Sequence, residues 1–192
     1  MHALNQSIDF FIPSYWNNLE KLKFSLNKIL NPNIHIKIIK FVPHNFHSRF
    51  NATKRSYRYI ITNQYTPFNA NYTLYKKNLN IEHLKKAIKT FNGEHNFEYF
   101  HKRGSEVNHF VRKIYKSDII LYKNYTIIRF IGNGFLRSQI RMMTQFLLDI
   151  SDNIYTIKDL KKQLEREDKI NTNLAPANGL YFERVWYENI NN

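Results

Sequence analysis

Three stretches concentrate the side chains able to do chemistry. The run Phe46-His47-Ser48-Arg49-Phe50-Asn51-Ala52-Thr53-Lys54-Arg55-Ser56-Tyr57-Arg58-Tyr59 interleaves aromatic rings with cations, a combination that stacks on bases and neutralises phosphates. Arg137 and Arg141 stand one helical turn apart, so one face offers two guanidinium forks, each suited to a phosphate or a carboxylate. His101 to His109 is polar and basic and reads as a loop whose Lys102 and Arg103 extend a positive surface. Each has a plainer reading: Tyr57 as a strand tyrosine in a sheet, Arg141 as a surface arginine, Ile140 as core.

Metal chemistry has little to work with. The chain has no cysteine, and its eight histidines are scattered. His44 and His47 are the closest pair and no further ligand cluster accompanies them, so no metal site is expected. The charge balance is more informative: 29 Lys and Arg against 15 Asp and Glu leave a net +14, which favours an anionic partner, nucleic acid first and an acidic membrane surface second. Heavy use of Lys, Asn and Ile throughout supplies part of that excess as solvated surface. No apolar run reaches the roughly 18 residues of a membrane span, and Met1 opens no secretory signal. The expected compartment is the cytoplasm, with no membrane partner.

The elements that must position these residues follow from periodicity. Asn5 to Ile12 reads as a strand stopped by Pro13, with Ser14 as N-cap of a helix carrying Trp16, Leu19, Leu22, Leu26, Ile29 and Leu30 and ending before Pro32. Ile34 to Val42 alternates as a strand, Ser56 to Thr62 is β-rich, and Tyr72 to Tyr75 adds a short strand. Ile81 to Phe91 is an amphipathic helix closed by Gly93. Arg112 to Tyr122 and Tyr125 to Ile131 flank Lys123-Asn124 as a hairpin. A third helix runs from Gly134 to about Ile150, Lys158 to Glu167 is a short helix, and Gly179 to Tyr187 is the last strand. This order predicts an α+β fold, an antiparallel β-sheet with helices packed on one face.

The same stretches carry a family resemblance. The Phe46 to Tyr59 run resembles the F-H-A-R-F-x-A-x-x-R-x-Y-R-Y signature of the bacterial tRNA pseudouridine synthase A family. Asn133-Gly134-Phe135-Leu136-Arg137-Ser138-Gln139-Ile140-Arg141 is similar to its N-x-F-L-x-x-M-V-R segment, and Ala175-Pro176-Ala177-Asn178-Gly179-Leu180-Tyr181-Phe182 to its A-P-x-x-G-L-x-L strand. The resemblance implies a pseudouridine synthase fold of two ferredoxin-like halves with the first truncated: residues 1–63 the remainder of the N-terminal half, 64–192 the C-terminal half, packed as one continuous sheet.

It also implies the chemistry. The partner is tRNA, modified in its anticodon stem-loop by a homodimer with no cofactor and no metal. Arg141 is implied as the catalytic-site basic residue that pairs with a nucleophilic aspartate, and Tyr57 and Ile140 as substrate-binding residues. RNA contacts are implied for Phe46, His47, Ser48, Arg49 and Phe50, for Gly104, Ser105, Glu106, Val107 and Asn108, and for Arg112 and Arg137; Arg49 is the phosphate ligand and the phenylalanines are core anchors. One departure stands against these agreements. The family's Gly-Arg-Thr-Asp-x-Gly-Val-His-Ala motif meets this chain only at Met1-His2-Ala3, so its aspartate is expected upstream of Met1. This leaves three readings: a synthase inactive as residues 1–192 alone, a non-catalytic RNA-binding remnant, and a decayed product that does not fold stably.

Overall fold

The computed structural model of the chain describes residues 1–104 and 109–188. The described residues form two compact units, one of Met1–Gln6 with Ala52–Glu188, the other of Ser7–Asn51.

The larger unit is built on a seven-stranded sheet. Its strands are β1 (His2–Ala3), β2 (Ala52–Thr62), β3 (Leu74–Tyr75), β4 (Gly93–Asn96), β5 (Val111–Tyr122), β6 (Tyr125–Gly132) and β7 (Leu180–Tyr187). The spatial order is β1-β7-β2-β6-β5-β4, with β3 continuing the β7 edge of β2. The long pairings are antiparallel, while β1 on β7 and β3 on β2 are parallel. The sheet is therefore mixed within an α+β fold.

One face of this sheet meets the helices. Tyr59 and Ile61 of β2, Ile128 and Phe130 of β6 and Ile114 of β5 are buried in one cluster with side chains of α2 (Ile81–Ile88), α3 (Gln139–Ser151) and α4 (Ile157–Leu164). The predicted alternation explains this: residues two apart on a strand share a face, and the amphipathic stripes of the helices cover it. The β5–β6 hairpin forms as predicted, with Lys123 at φ 51 supplying the left-handed position of its two-residue turn.

The opposite face is held by charge. Arg58 and Arg129 lie directly opposite each other on β2 and β6, an arrangement that would repel unless each had its own carboxylate. Asp118 takes Arg129 through two hydrogen bonds of 3.0 and 2.7 Å. Glu183 takes Arg58 and, at 2.6 Å, the Ser56 hydroxyl. Glu183 is the extra residue of a bulge, since β7 moves from Arg184 to Phe182 while β2 moves only from Ser56 to Tyr57.

Several expectations fail locally. Asn5 to Ile12 and Ile34 to Val42 are not strands, and Ile8, Phe11 and Ile38 are exposed, because alternation makes a strand only where an edge exists to pair with it. The first helix, α1 (Leu19–Ile29), starts late because Asn18, not Ser14, caps it through a 2.9 Å bond from Lys21 N–H. Helix α3 starts at Gln139 rather than Gly134: Ser138 is left-handed, φ 63, and the Gln139 side chain accepts the Leu136 N–H at 2.8 Å. Gly93, at φ 105, opens the unpredicted β4 instead of closing α2.

Burial pushes the Glu183 carboxyl up, but its hydrogen bonds from Arg58 and Ser56 outweigh that and set it below the usual glutamate range. A depressed folded value stabilises the fold above the unfolded value near 4.5, and the contribution is lost as pH falls through the lower folded value. Glu183→Gln is expected to cost about 2 kcal/mol at neutral pH, less than a fully buried pair because Arg58 keeps part of its side chain in water. Urea unfolding at pH 7 and pH 3 checks it: the gap between wild type and variant should narrow at the lower pH, and an unchanged gap would remove Glu183 from this role.

Candidate active site and cationic rim

Tyr57 lies on the helix-side face of β2, walled by two phenylalanines. Phe182 of β7 meets it edge-on at 5.1 Å and Phe135 at 5.2 Å. Register produces the first contact, since Tyr57 and Phe182 are cross-strand partners just past the Glu183 bulge. Burial pushes the Tyr57 phenol up and the charge of Arg55 only partly opposes this, so the hydroxyl keeps its proton at neutral pH.

Arg141 reaches the same face from α3. It is the charge neighbour of Tyr59, which shares Tyr57's face two residues along the strand. Its Nε donates to the Ala175 carbonyl at 2.5 Å, and Ala175 N–H donates back to the Arg141 carbonyl at 3.2 Å. The Tyr59 hydroxyl donates to Pro176 O at 2.7 Å, so both side chains grip the segment leading into β7. Gly179 allows the close approach: a Cβ there would sit 2.8 Å from Ile60 O and 2.9 Å from the Tyr59 ring. Buried amides anchor the loop before it, Gln163 exchanging two hydrogen bonds with the Asn171 backbone and Asn171 Nδ2 donating to Asp149 at 2.6 Å. Ile140, one residue before Arg141, is 4% exposed and belongs to the core cluster.

Strand β1 enters beside this place. Ala3 pairs with Phe182 and His2 with Tyr181 in parallel, which aims the residue ahead of His2 toward Leu180, itself the partner of Tyr59. A group carried just before β1 would approach the end of the sheet where Arg141, Tyr59 and Pro176 meet.

Cations rim the Phe135 side. Arg55 donates to Asn133 O at 3.0 Å, while Asn133 is locked to Lys113 by its own backbone and side chain. Gly134 lies between Arg112 and Arg55, with a Cβ position 3.6 Å from Arg112 Nε and 4.0 Å from Arg55 Nη1. Arg137 donates to Arg103 O at 3.2 Å and Gly104 O at 3.0 Å. Gly104 has φ 101, a left-handed backbone that favours glycine, and a Cβ there would come within 2.7 Å of Arg137 Nη1, which would have to shift. Burial first, then the charges of Arg137, Arg112 and Lys169, push the His101 imidazole down, and burial with Arg55 lowers Arg112. Like charges held this close lower the cost of bringing in an anion. The candidates Ser105, Glu106, Val107 and Asn108 lie outside the described residues.

In the smaller unit, the segment 46–50 differs from expectation. Phe50 is 74% exposed and is no core anchor; it carries His47 at 4.4 Å and Arg49 over its ring at 5.6 Å. Phe46 is half-buried. Asp9 accepts the Ser48 N–H at 2.8 Å, and its hydrogen bonds with Ser48 hold its carboxyl below the usual range.

Three residues at the larger unit's site escaped the sequence reading as contacts. Arg55 shares Tyr57's strand and face two residues earlier, a signal the period of two already carried. Phe135 and Phe182 stand inside the recognised motifs, but only the register shows that they enclose Tyr57.

Architecture and site define an α+β protein in which helices cover one face of a mixed sheet and arginines crowd one end of it. A family model described as tRNA pseudouridine synthase matches residues 87–188. The tRNA pseudouridine synthase A of Campylobacter jejuni (strain RM1221) is 36% identical over 174 residues, 90% of this chain and 72% of the relative. Those of Limosilactobacillus reuteri (strain DSM 20016) and Helicobacter hepaticus (strain ATCC 51449 / 3B1) are 37% and 35% identical, each over 97% of this chain and over 75% and 77% of the relative. The chain belongs to the tRNA pseudouridine synthase A family, a family of isomerases. Among the described residues no helix is long and apolar enough to cross a membrane.

If the rim holds phosphates, Arg112→Ala and Arg137→Ala should each weaken tRNA binding and flatten the plot of log K against log salt by about 0.7–0.9 per phosphate lost. Affinities measured across a salt series check this; an unchanged slope in both variants would remove these arginines from the interface.

Proposed function

We propose that this chain supplies the uracil pocket and most of the RNA-binding surface of an enzyme that isomerises uridine to pseudouridine in the anticodon stem-loop of tRNA. The observation that supports the reading is that Tyr57, in its phenylalanine walls, and Arg141, beside Tyr59, stand on one face of the sheet, with a cationic rim on the Phe135 side. The reaction breaks the C1′–N1 bond, turns the uracil and joins C1′ to C5, and the proton on C5 leaves as N1 gains one. Bonds and protons are exchanged and no electrons are lost, so neither cofactor nor metal is called for.

The base must leave its stack to react. Tyr57 offers it an aromatic platform with a protonated hydroxyl, and Ile140 backs the pocket. Arg141 Nε is held by the Ala175 carbonyl, which fixes the direction of its remaining nitrogens; a fork held this way keeps a carboxylate ionised and aimed. Arg55, Arg112 and Arg137 take backbone phosphates that fix the RNA's register. Phe46 to Phe50 adds the Arg49–Phe50 pair as a second contact. The working form is a homodimer in the cytoplasm, as the family resemblance implies.

The carboxylate that this fork would hold is the aspartate of the Gly-Arg-Thr-Asp run that the family resemblance implies. Residues 1–192 hold no Gly-Arg-Thr-Asp run, and Asp9 already serves Ser48. The polypeptide of residues 1–192 alone is therefore expected to bind tRNA without turnover, because misplacing a reacting group by about one ångström already costs roughly a hundredfold in rate. Tritium release from tRNA labelled at uracil C5 measures this directly. Turnover should appear only when a second polypeptide ending in Gly-Arg-Thr-Asp-x-Gly-Val is added, and Arg141→Lys should abolish it with tRNA binding retained. Turnover by residues 1–192 alone would overturn the requirement for that aspartate.

A further inference from the structure

The far end of the sheet carries exposed aromatic side chains that the proposed site does not use. Phe68 is 92% exposed, Tyr65 61%, Tyr122 59% and Tyr75 45%. They share a neighbourhood: Tyr65 and Tyr75 meet edge-on at 5.7 Å, and the Asn124 side chain ties the β5–β6 turn next to Tyr122 to Gln64 at 2.7 Å.

The segment presenting Phe68 is fastened at both ends. On one side the Asn69 side chain donates to Gln64 O at 3.3 Å, and Thr66 and Asn69 exchange side-chain and backbone hydrogen bonds at 3.2 Å. On the other, Asn178 donates to Ala70 O at 2.8 Å and Thr73 O at 2.6 Å, and the Tyr181 hydroxyl to Tyr72 O at 2.8 Å. Phe68 is thus displayed on a chain segment whose ordering cost is already met by its own hydrogen bonds, which is what a binding platform needs.

The surrounding charge selects the class of partner. Lys123 lies over the Tyr122 ring at 5.5 Å, Lys77 is exposed, and the nearby carboxylate Asp152 is paired with Lys76 at 2.7 Å. Aromatic faces separated by lysines and side-chain amides, rather than gathered into one apolar patch, match an RNA strand better than the apolar core of a protein interface.

We propose that Phe68 and Tyr65, with Tyr75, Tyr122, Lys77 and Lys123, form a second RNA-stacking platform that engages unpaired bases of the same RNA away from the reacting uridine. This rests on the tRNA-modifying reading above and extends it. Tyr57 and Thr62 stand five residues apart on β2, roughly 15–17 Å at the rise of a strand; Gln64, bonded to Asn69, follows Thr62, while Asn71 and Tyr72 turn back to His2, which lies on the face of the sheet opposite Tyr57. The platform therefore meets a part of the RNA other than the uridine seated at Tyr57.

The test compares Phe68→Ala, Tyr65→Ala and Arg112→Glu/Arg137→Glu in the full chain for binding to whole tRNA and to the isolated anticodon stem-loop. Stacking is worth about 1–3 kcal/mol per base, so Phe68→Ala should weaken whole tRNA roughly tenfold and leave the stem-loop within about twofold, with Phe68→Trp keeping wild-type affinity. The double arginine variant should weaken both RNAs. Normal binding by that variant together with a loss confined to whole tRNA in Phe68→Ala would remove the cationic rim from the RNA interface and leave this platform standing. Unchanged tRNA binding in both Phe68→Ala and Tyr65→Ala would overturn the platform, as would a change in sedimentation without a change in RNA affinity, which would assign the patch to a protein partner.

Discussion

The pairing of β2 with β7 is the constraint on which the rest of the site depends. β2 is bonded on both sides, so its register with each neighbour decides which residues face the helices. The extra residue Glu183 absorbs a shift in that register. It lets Leu180 and Phe182 face the helix side with Tyr59 and Tyr57, and lets Val185, beyond the bulge, return to a buried position beside Arg55. Glu183 uses the bulge to take both Ser56 and Arg58, and so relieves the Arg58–Arg129 opposition on the other face. Local geometry, packing and electrostatics are settled together at one residue.

The consequences run outward from this pairing. Because Tyr59 faces the helices, its hydroxyl can meet Pro176, and the same segment gives Arg141 its carbonyl. Because Ala3 pairs with Phe182, β1 joins the row that contains Tyr57. The motifs, far apart in the chain, therefore meet through backbone register.

Much of this was legible in the sequence where a pattern had a local cause. The β5–β6 hairpin follows from two β-rich runs about Lys123-Asn124, and α2 from the spacing of Leu84, Ala87 and Ile88. The motifs locate Tyr57 and Arg141 without the register that puts both on the helix side of the sheet. What failed required knowledge of partners. Ile34, Ile36 and Ile38 alternate like a strand, yet among the described residues no strand pairs with them, and Asn27 instead holds Ile36 through bonds of 3.0 and 2.7 Å. β4 was missed because Gly93-Glu94-His95-Asn96 lacks β-branched residues and is a strand by virtue of pairing with β5. Phe135 and Phe182 could be recognised as motif residues, but the bulge that sets Phe182 against Tyr57 has no signature in the residue types.

The central claim is that the reacting uracil sits in the phenylalanine-walled pocket at Tyr57. Photocrosslinking with tRNA whose target uridine is replaced by 4-thiouridine, followed by mass spectrometric mapping of the joined peptide, tests it most directly. The account predicts attachment within the β2 peptide containing Tyr57 or at Phe135. Attachment confined to His2, Tyr72 or Tyr181 on the opposite face of the sheet would contradict it.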